Sequence, residues 1–344
     1  MYKQIMTKIT TGQKLTEEEI FSLIAAINRS QISDVQIAGF QVGLLMKGTS
    51  LDELSAFAKA MRANCVLLRP HVTAELMDTC GTGGGLSTFN ISTATALVAA
   101  AAGIPVAKHG SRSISSLSGS ADVLEALGVN INLTPQQAER LIEDIGIAFI
   151  YAPLFHPVMC KVLPPETELG IKTIFYTIIG PLINPAFATR HLLGVYKPEL
   201  LDTVTYVARE LGYTNAMFVH GLDGLDEISL LGTTRVNYLH GGHVDTFEIT
   251  PEDFGMRRCT LEEIKTGTPQ ENAATIEGVF GGRLTGPRRD AIVLNAAGAL
   301  VVGGKAEGFP AGIRLAREII ESGRAEQKLA ELVACSNAVA EVSA

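Results

Sequence analysis

The amino-acid sequence predicts an α/β protein in which a small all-helical unit precedes a larger unit of strands and helices. Three observations support this fold class. The first ~65 residues contain helix-start signals and no strand pattern. Later in the chain, short apolar runs typical of buried strands alternate with helical segments. A glycine-rich loop also leads directly into an Ala-rich apolar stretch that is typical of a buried helix.

Capping signals delimit the N-terminal helical unit. Helices are expected over 16–28, 33–48 and 50–64, each beginning after a Ser or Thr. The first and third open with a Ser/Thr-x-x-Glu capping box, in which side chains satisfy the free backbone amides of the first turn. We therefore expect three helices that pack against one another.

The larger unit follows a linker that begins at Arg69-Pro70. Strands are predicted at 104–107, 147–151, 192–196, 216–220, 236–238 and 244–249, and helices at 94–102, 121–127, from 135 onward, 198–211, 271–280, 290–302, 311–321 and 325–334. Gly241-Gly242 predicts a hairpin between the last two strands. A helical turn over 157–162 is expected to end at Pro164-Pro165, before an apolar helix over 169–179.

Composition places limits on the class of protein. The chain has 344 residues, of which 47% are hydrophobic and 19% charged, as in a compact globular protein. A net charge of −8 argues against a large nucleic-acid interface, which needs a positive field. Five cysteines without CxxC spacing argue against a zinc cluster or a disulfide framework. The N-terminus lacks a secretory apolar segment, and no apolar run is long enough to cross a bilayer, so we expect a cytoplasmic protein without membrane partners.

The stretch Asp78–Thr93 has the composition of a phosphate-binding loop. Its glycines are Gly81, Gly83, Gly84 and Gly85, and its polar residues after them are Ser87, Thr88, Asn90, Ser92 and Thr93. Glycines let the backbone approach a ligand closely, and free amides at a helix start attract phosphate. The stretch lacks the Gly-Lys-Ser/Thr of a P-loop, and Leu86 replaces the third glycine of a dinucleotide motif. The alternative is a tight turn with a helix cap.

A second polar stretch, Lys108–Ser116, follows the strand predicted at 104–107. Lys108 and Arg112 bring two permanent cations to the carboxyl end of that strand, where ligands bind in α/β sheets. Cations beside a Ser-rich backbone suit a phosphate or pyrophosphate. A solvated polar loop is the alternative, but two such stretches in one α/β chain favour a phosphorylated ligand.

These stretches and several others resemble the anthranilate phosphoribosyltransferase family, which shares a fold group with the pyrimidine nucleoside phosphorylases. The matching motifs are Gly81-Thr-Gly-Gly84, Thr88-Phe-Asn-Ile-Ser-Thr93, Lys108-His-Gly-x-Arg-Ser113, Gly180-Pro-Leu-Ile-Asn-Pro185, Asp226-Glu227 and Gly286-Pro-Arg-Arg-Asp290. The resemblance spans 15–337. It implies the family fold, with a central mixed sheet flanked by helices, a helical domain that contributes to a homodimer, and a segment that returns to the helical domain. The implied domains are 1–68 with about 164–188, and 69–163 with 189–344.

The resemblance also implies substrates and site residues. The donor is phosphoribosyl pyrophosphate, the cofactor is Mg²⁺, and the acceptor is an aromatic amine. The implied donor-binding residues are Gly81, Gly84, Gly85, Thr88, Asn90, Ile91, Ser92, Thr93, Lys108, His109, Gly110, Ser111, Arg112, Ser113, Ile114, Ser115, Ser116 and Ser120. The implied metal ligands are Ser92, Asp226 and Glu227, and the implied acceptor positions are Ser111 and Glu166. A solvated acidic turn is the alternative interpretation of Asp226-Glu227.

This chemistry needs positioning more than a reactive side chain. The amine and C1′ must be held in line, and the charge on the departing pyrophosphate must be neutralised. Mg²⁺ suits this task because it binds carboxylate and phosphate oxygens. No residue has to form a covalent intermediate. His109 could serve as a general base, although a histidine beside a phosphate loop is more often a hydrogen-bond donor.

Four departures from the family pattern concern the acceptor and the donor loop. The glycine loop is one residue shorter and lacks the family's Asp. Ser111 replaces an Asn, Glu166 replaces an Arg that contacts the anthranilate carboxylate, and Phe175-Tyr176 replaces Phe-Asn with an extra residue. A carboxylate repels another carboxylate, so these changes predict that anthranilate is a poor acceptor or is held differently. Anthranilate phosphoribosyl transfer is nevertheless the first interpretation. The alternatives are transfer to another acceptor, nucleoside phosphorolysis and a non-catalytic binding protein.

Overall fold

A computed structural model describes residues 1–113 and 117–341 of the chain. In that part, seven strands form one sheet in the order β3-β2-β1-β4-β5-β6-β7. The strands are β1 (Met77–Gly81), β2 (Val106–Gly110), β3 (Ile147–Tyr151), β4 (Arg190–Gly194), β5 (Asn215–Gly221), β6 (Thr234–His240) and β7 (His243–Ile249). The helices are α1 (Tyr2–Thr10), α2 (Glu17–Asn28), α3 (Asp34–Lys47), α4 (Leu51–Ala63), α5 (Ile91–Ala101), α6 (Ser120–Ala126), α7 (Pro135–Ile145), α8 (Ala152–Phe155), α9 (Met159–Leu169), α10 (Gly180–Leu182), α11 (Leu201–Glu210), α12 (Leu261–Ile264), α13 (Pro269–Phe280), α14 (Pro287–Val302), α15 (Phe309–Glu321) and α16 (Arg324–Glu341). A π-helix spans Phe175–Ile179, and 3₁₀ turns span Pro198–Leu200 and Pro251–Phe254.

The sheet is mixed and is covered on both faces. Strands β1 to β5 run parallel, whereas β6 and β7 complete the sheet as an antiparallel hairpin at Gly241-Gly242. Successive side chains of a strand point to opposite faces. On β4, Leu192 packs into the core formed with α5 and α14, and Leu193 packs into the core formed with the N-terminal helices. The predicted α/β class with an N-terminal helical part and a mixed sheet is confirmed.

The N-terminal helices begin where the capping signals predict. The side chains of Thr16, Ser33 and Ser50 each accept a hydrogen bond from the backbone N–H three residues later, and a Glu or Gln side chain completes each capping box. The expectation of three helices was one helix short, because α1 precedes them. That helix starts at Met1 without a side-chain cap, so it lacked the signal that identified the others.

The chain from α9 through the π-helix, residues 159–179, folds differently from the prediction. Pro164 and Pro165 lie inside α9 and do not end it. The helix predicted over 169–179 is interrupted at Gly170, which adopts the left-handed conformation that ends α9. A five-residue π-helix follows over Phe175–Ile179. A π-helix accommodates one additional residue per turn, which suits the extra residue noted in this segment.

This segment packs against the N-terminal helices. Val162, Phe175 and Ile179 are buried in one core with Phe40 of α3 and Phe57 of α4. The rings of Phe40, Phe57 and Phe175 lie 5.7–6.1 Å apart, between centroids. That core also includes sheet residues such as Leu193, so packing is continuous between the helical part and the sheet. The division into 1–68 with 164–188 and 69–163 with 189–344 stays a prediction.

None of the helices in the described part of the chain is both long and apolar enough to cross a membrane. The five cysteines are unpaired.

Candidate active site

The carboxyl ends of the parallel strands surround a cleft of about 350 Å³. Strand β1 leads into the glycine turn, β2 carries Lys108 and His109, and the loop after β5 carries Asp226 and Glu227. Parallel strands end at one edge of a sheet, which is where α/β proteins bind ligands. The two polar stretches predicted to share a ligand therefore lie in one site. Lys108 and His109 are part of β2, whereas the sequence suggested that the strand ended before them.

The glycine turn has a backbone that other residues cannot adopt easily. Gly83 and Gly84 have φ values of +65° and +92°, in the left-handed region that favours glycine. A Cβ on Gly85 would lie 2.7 Å from the carbonyl oxygen of Gly224, closer than real atoms approach. In the described part of the chain, the N–H groups of Gly84 and Gly85 donate to no protein group. They are therefore available to an anion.

Two carboxylates lie directly against this turn. The N–H of Gly83 donates to Asp226 Oδ2 at 2.9 Å. Burial raises the pKa of the Asp226 carboxyl above its ordinary value. Burial and the neighbouring Asp226 charge raise the pKa of Glu227 well above its ordinary value, although the Ser92 backbone N–H favours the ionised form. A cation beside these two carboxyls would favour their ionised forms, so the pair is a suitable place for a metal ion.

The donor set suits Mg²⁺. Asp226, Glu227 and the Ser92 hydroxyl all line the cleft and offer hard oxygen ligands, and the turn amides beside them can hold phosphate oxygens. When bound, Mg²⁺ would neutralise phosphate charge at this position. A second group of ligating atoms, from Asp78, Cys80 and His191, lies within 4.8 Å of one another. Its carboxylate already accepts from amide groups, and Cys80 Sγ lies 3.2 Å from His191 Nε2, so these residues form a buried hydrogen-bonded cluster.

Lys108 is a buried cation that lines the same cleft as the glycine turn. Its side chain is 2% exposed and its ammonium donates to the carbonyl of Thr79 at 2.6 Å. Burial lowers the pKa of Lys108, and the nearby Asp78 carboxylate opposes that shift. Asp78 also accepts from the His109 N–H at 3.0 Å and from the Asn184 side chain at 2.7 Å. This network fixes β2 against β1 and so fixes Lys108 relative to the turn.

Arg112 lies at the cleft, but its guanidinium is already occupied. It forms ion pairs with Asp122 at 2.8 Å and with Glu125 at 2.6 Å. Asp122 also accepts from the N–H groups of Ser113 at 3.1 Å and Gly119 at 2.8 Å. Arg112 thus stabilises the loop that borders the cleft. Among the described residues that line the cleft, Lys108 is therefore the buried cation.

Most of the residues implied for the donor line the cleft. These are Gly81, Gly84, Gly85, Thr88, Asn90, Ser92, Lys108, His109, Gly110, Ser111, Arg112, Ser113 and Ser120, together with Asp226 and Glu227. Ile91 and Thr93 do not line it, because both are buried in the first turns of α5. Ile114, Ser115 and Ser116 lie outside the described residues.

Glu166 lies away from the cleft, contrary to the expected contact with the acceptor. Its side chain is 3% exposed and accepts hydrogen bonds from Gln41 Nε2 at 3.2 Å and from the Thr173 hydroxyl. Burial raises the pKa of the Glu166 carboxyl. The interruption after α9 turns Thr173 back toward α9, and this contact could not be predicted from sequence spacing. Glu166 therefore joins α3 to α9 at a position that does not touch the cleft.

Two histidines form a wall of the cleft that sequence reasoning found only in part. The rings of His109 and His156 lie 4.8 Å apart at an interplanar angle of 60°. Both are more than 90% buried, and the Nε2 atom of each has no hydrogen-bond partner among the described residues. Further lining residues fall within the phosphate-binding stretch or the matching motifs but outside the implied donor contacts, namely Cys80, Thr82, Gly83, Leu86, Ser87, Phe89, Gly180, Pro181 and Ile183. The lining residues outside those stretches are Ser118, Gly119, Ala152, Pro153, Met159, Cys160, Leu163 and Tyr176. The His156-Pro157 pair soon after β3 was the available signal.

The buried histidines should make stability depend on pH. Burial lowers the pKa of His156 to about 4, whereas the unfolded chain takes up a proton near 6.5. This contribution to stability is therefore present above about pH 6.5 and declines as the pH falls toward about 4. Between pH 7 and pH 5, the free energy of unfolding of the wild type should fall by roughly 1–2 kcal/mol more than that of His156→Gln, as measured by urea unfolding. His71→Gln, which changes an exposed histidine, is the control. An unchanged pH dependence in His156→Gln would contradict the prediction.

The fold and the site define a class of α/β proteins that hold a phosphorylated ligand and a divalent cation at the carboxyl edge of the sheet. Residues 73–326 match the family described as "Glycosyl transferase family, a/b domain". Residues 3–65 match its helical bundle domain.

Sequence and structure comparisons narrow this class. The chain is 47% identical to the anthranilate phosphoribosyltransferase of Acetivibrio thermocellus, over 98% of this chain and 97% of the relative. It is 46% identical to that of Desulfosudis oleivorans, over 97% and 98%. The crystal structure of the Thermus thermophilus enzyme matches with a TM-score of 0.90 and 40% identity, over 97% of this chain and 99% of that chain. The Saccharomyces cerevisiae enzyme in complex with phosphoribosyl pyrophosphate and Mg matches with a TM-score of 0.89 and 26% identity, over 98% of each chain. The chain belongs to the anthranilate phosphoribosyltransferase family of glycosyl transferases.

Proposed function

We propose that this protein transfers the phosphoribosyl group of phosphoribosyl pyrophosphate to the amine of anthranilate, with Mg²⁺, and releases pyrophosphate. The observation that carries the proposal is the position of the open glycine turn. The turn shares one cleft with the buried cation Lys108 and with the carboxylates of Asp226 and Glu227, and that cleft also contains a histidine-lined pocket. The names of the relatives support anthranilate as the acceptor.

The donor occupies the polar half of this cleft. The open amides of Gly84 and Gly85 are suited to bind the pyrophosphate, and Asp226 and Glu227 would hold Mg²⁺, which would supply positive charge to the phosphate oxygens. Lys108 contributes a positive charge to the same cleft, where the hydrogen bond to the carbonyl of Thr79 holds its ammonium. These groups stabilise the negative charge that develops on the leaving group, which is the main requirement of the reaction.

The acceptor occupies the less polar half. Pro153, Met159, Leu163 and Ile183 supply apolar surface for a flat ring, and Ser111 supplies a polar group. Burial lowers the pKa of His109 well below its ordinary value, so both imidazoles are neutral near pH 7. Both rings line the cleft while their Nε2 atoms are buried, so the histidines offer a neutral aromatic surface to the ring of anthranilate. Glu166 is not part of this pocket, so its negative charge does not oppose the substrate there.

The reaction needs no covalent intermediate. The nitrogen lone pair of the acceptor forms the bond to C1′ as the bond from C1′ to the pyrophosphate oxygen breaks, and the bonding electrons leave with the pyrophosphate. The proton lost from the amine passes to solvent or to neutral His109, which lines the cleft. Holding the two reactants in line supplies much of the acceleration.

A turnover assay tests the proposal directly. The protein is incubated with phosphoribosyl pyrophosphate, Mg²⁺ and a panel of aromatic amines, and pyrophosphate release is recorded. We expect release that depends on both Mg²⁺ and anthranilate. Turnover with another amine only would indicate a different acceptor, and release of ribose 1-phosphate from nucleosides would indicate phosphorolysis. Binding without turnover in any arm would indicate a non-catalytic protein.

The protein also has a surface suited to homodimer formation. Val35, Val42, Leu45 and Met46 lie on one face of α3 and are between 41% and 82% exposed. A contiguous apolar face of this kind marks a protein interface. We propose that it packs against the same face of a second copy, as the family resemblance implies. Val42→Glu with Leu45→Glu should convert a dimer to a monomer in sedimentation equilibrium, whereas an exposed charge reversal elsewhere, Glu248→Lys, should not. A wild-type monomer at micromolar concentration would contradict the proposal.

The unpaired cysteines are those expected in a reducing compartment, and they support the predicted cytoplasmic location.

A further inference from the structure

The glycine turn is flanked on its outer side by residues that the family resemblance did not include. A Cβ on Gly84 would lie 3.5 Å from Lys172 Nζ and 3.5 Å from the ring of Tyr196. A Cβ on Gly83 would lie 3.6 Å from the hydroxyl of Tyr176. Lys172 and Tyr176 belong to the segment around the π-helix, whereas Tyr196 follows β4. Two separate parts of the chain therefore meet at the outer side of this turn.

Lys172 has the properties of an anion-binding cation. Its side chain is exposed, and in the described part of the chain it forms no ion pair. The Lys172 ammonium lies 5.2 Å from the centre of the Tyr176 ring, which orients it without neutralising its charge. Gly84, whose N–H is open, lies beside it, and the open N–H of Gly85 follows in the chain. An ammonium next to two unpartnered amides is a site for phosphate oxygens.

The position of the acidic pair identifies which part of the donor lies here. Asp226 contacts the same turn through the Gly83 N–H, and a Cβ on Gly81 would lie 2.5 Å from its Oδ2 atom. Mg²⁺ binds phosphate oxygens together with carboxylates, so the diphosphate of the donor lies at this turn. The turn thus meets Asp226 at Gly81, Gly83 and Gly85, and meets Lys172 at Gly84.

We propose that Lys172 binds the pyrophosphate group of the donor at the glycine turn and stabilises it as the leaving group. This inference rests on the proposed function and adds a positive charge supplied by the segment that packs on the N-terminal helices. Binding of the diphosphate then joins that segment to the sheet. Lys172 thus contacts the departing pyrophosphate, whereas the carboxylate of the acceptor is bound in the pocket lined by His109 and His156.

A pair of matched lysines allows a sharp test. Lys197 is also exposed and its ammonium lies 5.3 Å from the centre of the Tyr196 ring, but unlike Lys172 it is not among the nearest neighbours of any glycine of the turn. The probe is magnesium pyrophosphate, titrated calorimetrically into the full-length protein. We expect Lys172→Met to weaken pyrophosphate binding about tenfold, Lys172→Arg to restore most of it, and Lys197→Met to change it less than about twofold. Melting temperatures verify that all variants are folded.

Steady-state kinetics separate this inference from the proposed function. With anthranilate turnover established for the wild type, Lys172→Met should raise KM for phosphoribosyl pyrophosphate and lower kcat, and leave KM for anthranilate unchanged. If Lys172→Met binds magnesium pyrophosphate as tightly as the wild type, the inference is overturned while the proposed function stands. A rise in KM for anthranilate alone would show that Lys172 contacts the acceptor, and would also overturn it. A wild type that neither turns over nor binds pyrophosphate would overturn both.

Discussion

Replacing Asp226 by Asn together with Glu227 by Gln should lower kcat/KM at least about a thousandfold. A metal ion that neutralises a leaving group contributes several kcal/mol to the stabilisation of the transition state, and this double change removes its carboxylate ligands. Calorimetry with MgCl₂ and pyrophosphate should show that binding no longer depends on Mg²⁺.

The fold should survive this double change. Burial raises the pKa of both carboxyls, so each ionised group destabilises the metal-free protein as the pH rises through its folded pKa. Without Mg²⁺ at pH 7, the melting temperature of the variant should therefore equal or exceed that of the wild type. Asp223→Asn is the matched control, because Asp223 lies in the same loop but accepts from Ser229 and does not line the cleft. Undiminished turnover in the double variant, with Asp223→Asn also active, would show that the acidic pair holds no metal ion needed for the reaction.

Gly194→Ala should lower kcat/KM at least about a hundredfold, although Gly194 does not line the cleft. Gly194 is the last residue of β4, and a Cβ there would lie 1.7 Å from the carbonyl oxygen of Asp226. Relief of that overlap requires the backbone of Asp226 to move by more than about 1 Å. A displacement of this size in a catalytic site costs about a hundredfold in rate.

A second glycine provides the control for this prediction. A Cβ on Gly308, at the start of α15, would lie no closer than 4.0 Å to another heavy atom, so Gly308→Ala should change neither rate nor fold appreciably. Gly194→Ala should also weaken magnesium pyrophosphate binding, measured by calorimetry. Normal kinetics in Gly194→Ala would mean that the loop after β5 shifts without moving its carboxylates.

Local sequence signals predicted those parts of the fold that depend on neighbouring residues. The capping boxes at Thr16 and Ser50 each specify a helix start through four consecutive residues. The hairpin between β6 and β7 depends on two residues, Gly241 and Gly242. The glycine turn and the Lys108 stretch were recognisable for the same reason, because close approach to phosphate requires particular residue types in sequence. The two stretches lie at one edge of the sheet because each follows a parallel strand, and parallel strands have their carboxyl ends at the same edge.

The contacts that complete the site depend on long-range packing. His109 and His156 come from different strand ends, and Lys172 reaches Gly84 only because the π-helix segment folds back over the turn. Glu166 looked like an acceptor contact in the motif, yet the break after α9 gives it Gln41 and Thr173 as partners. Residue order was thus enough to establish the family, the phosphate-binding residue types and the helix boundaries with caps. Which side chains face the cleft emerged only in the folded chain, because side-chain direction depends on how distant segments pack and not on spacing along the chain.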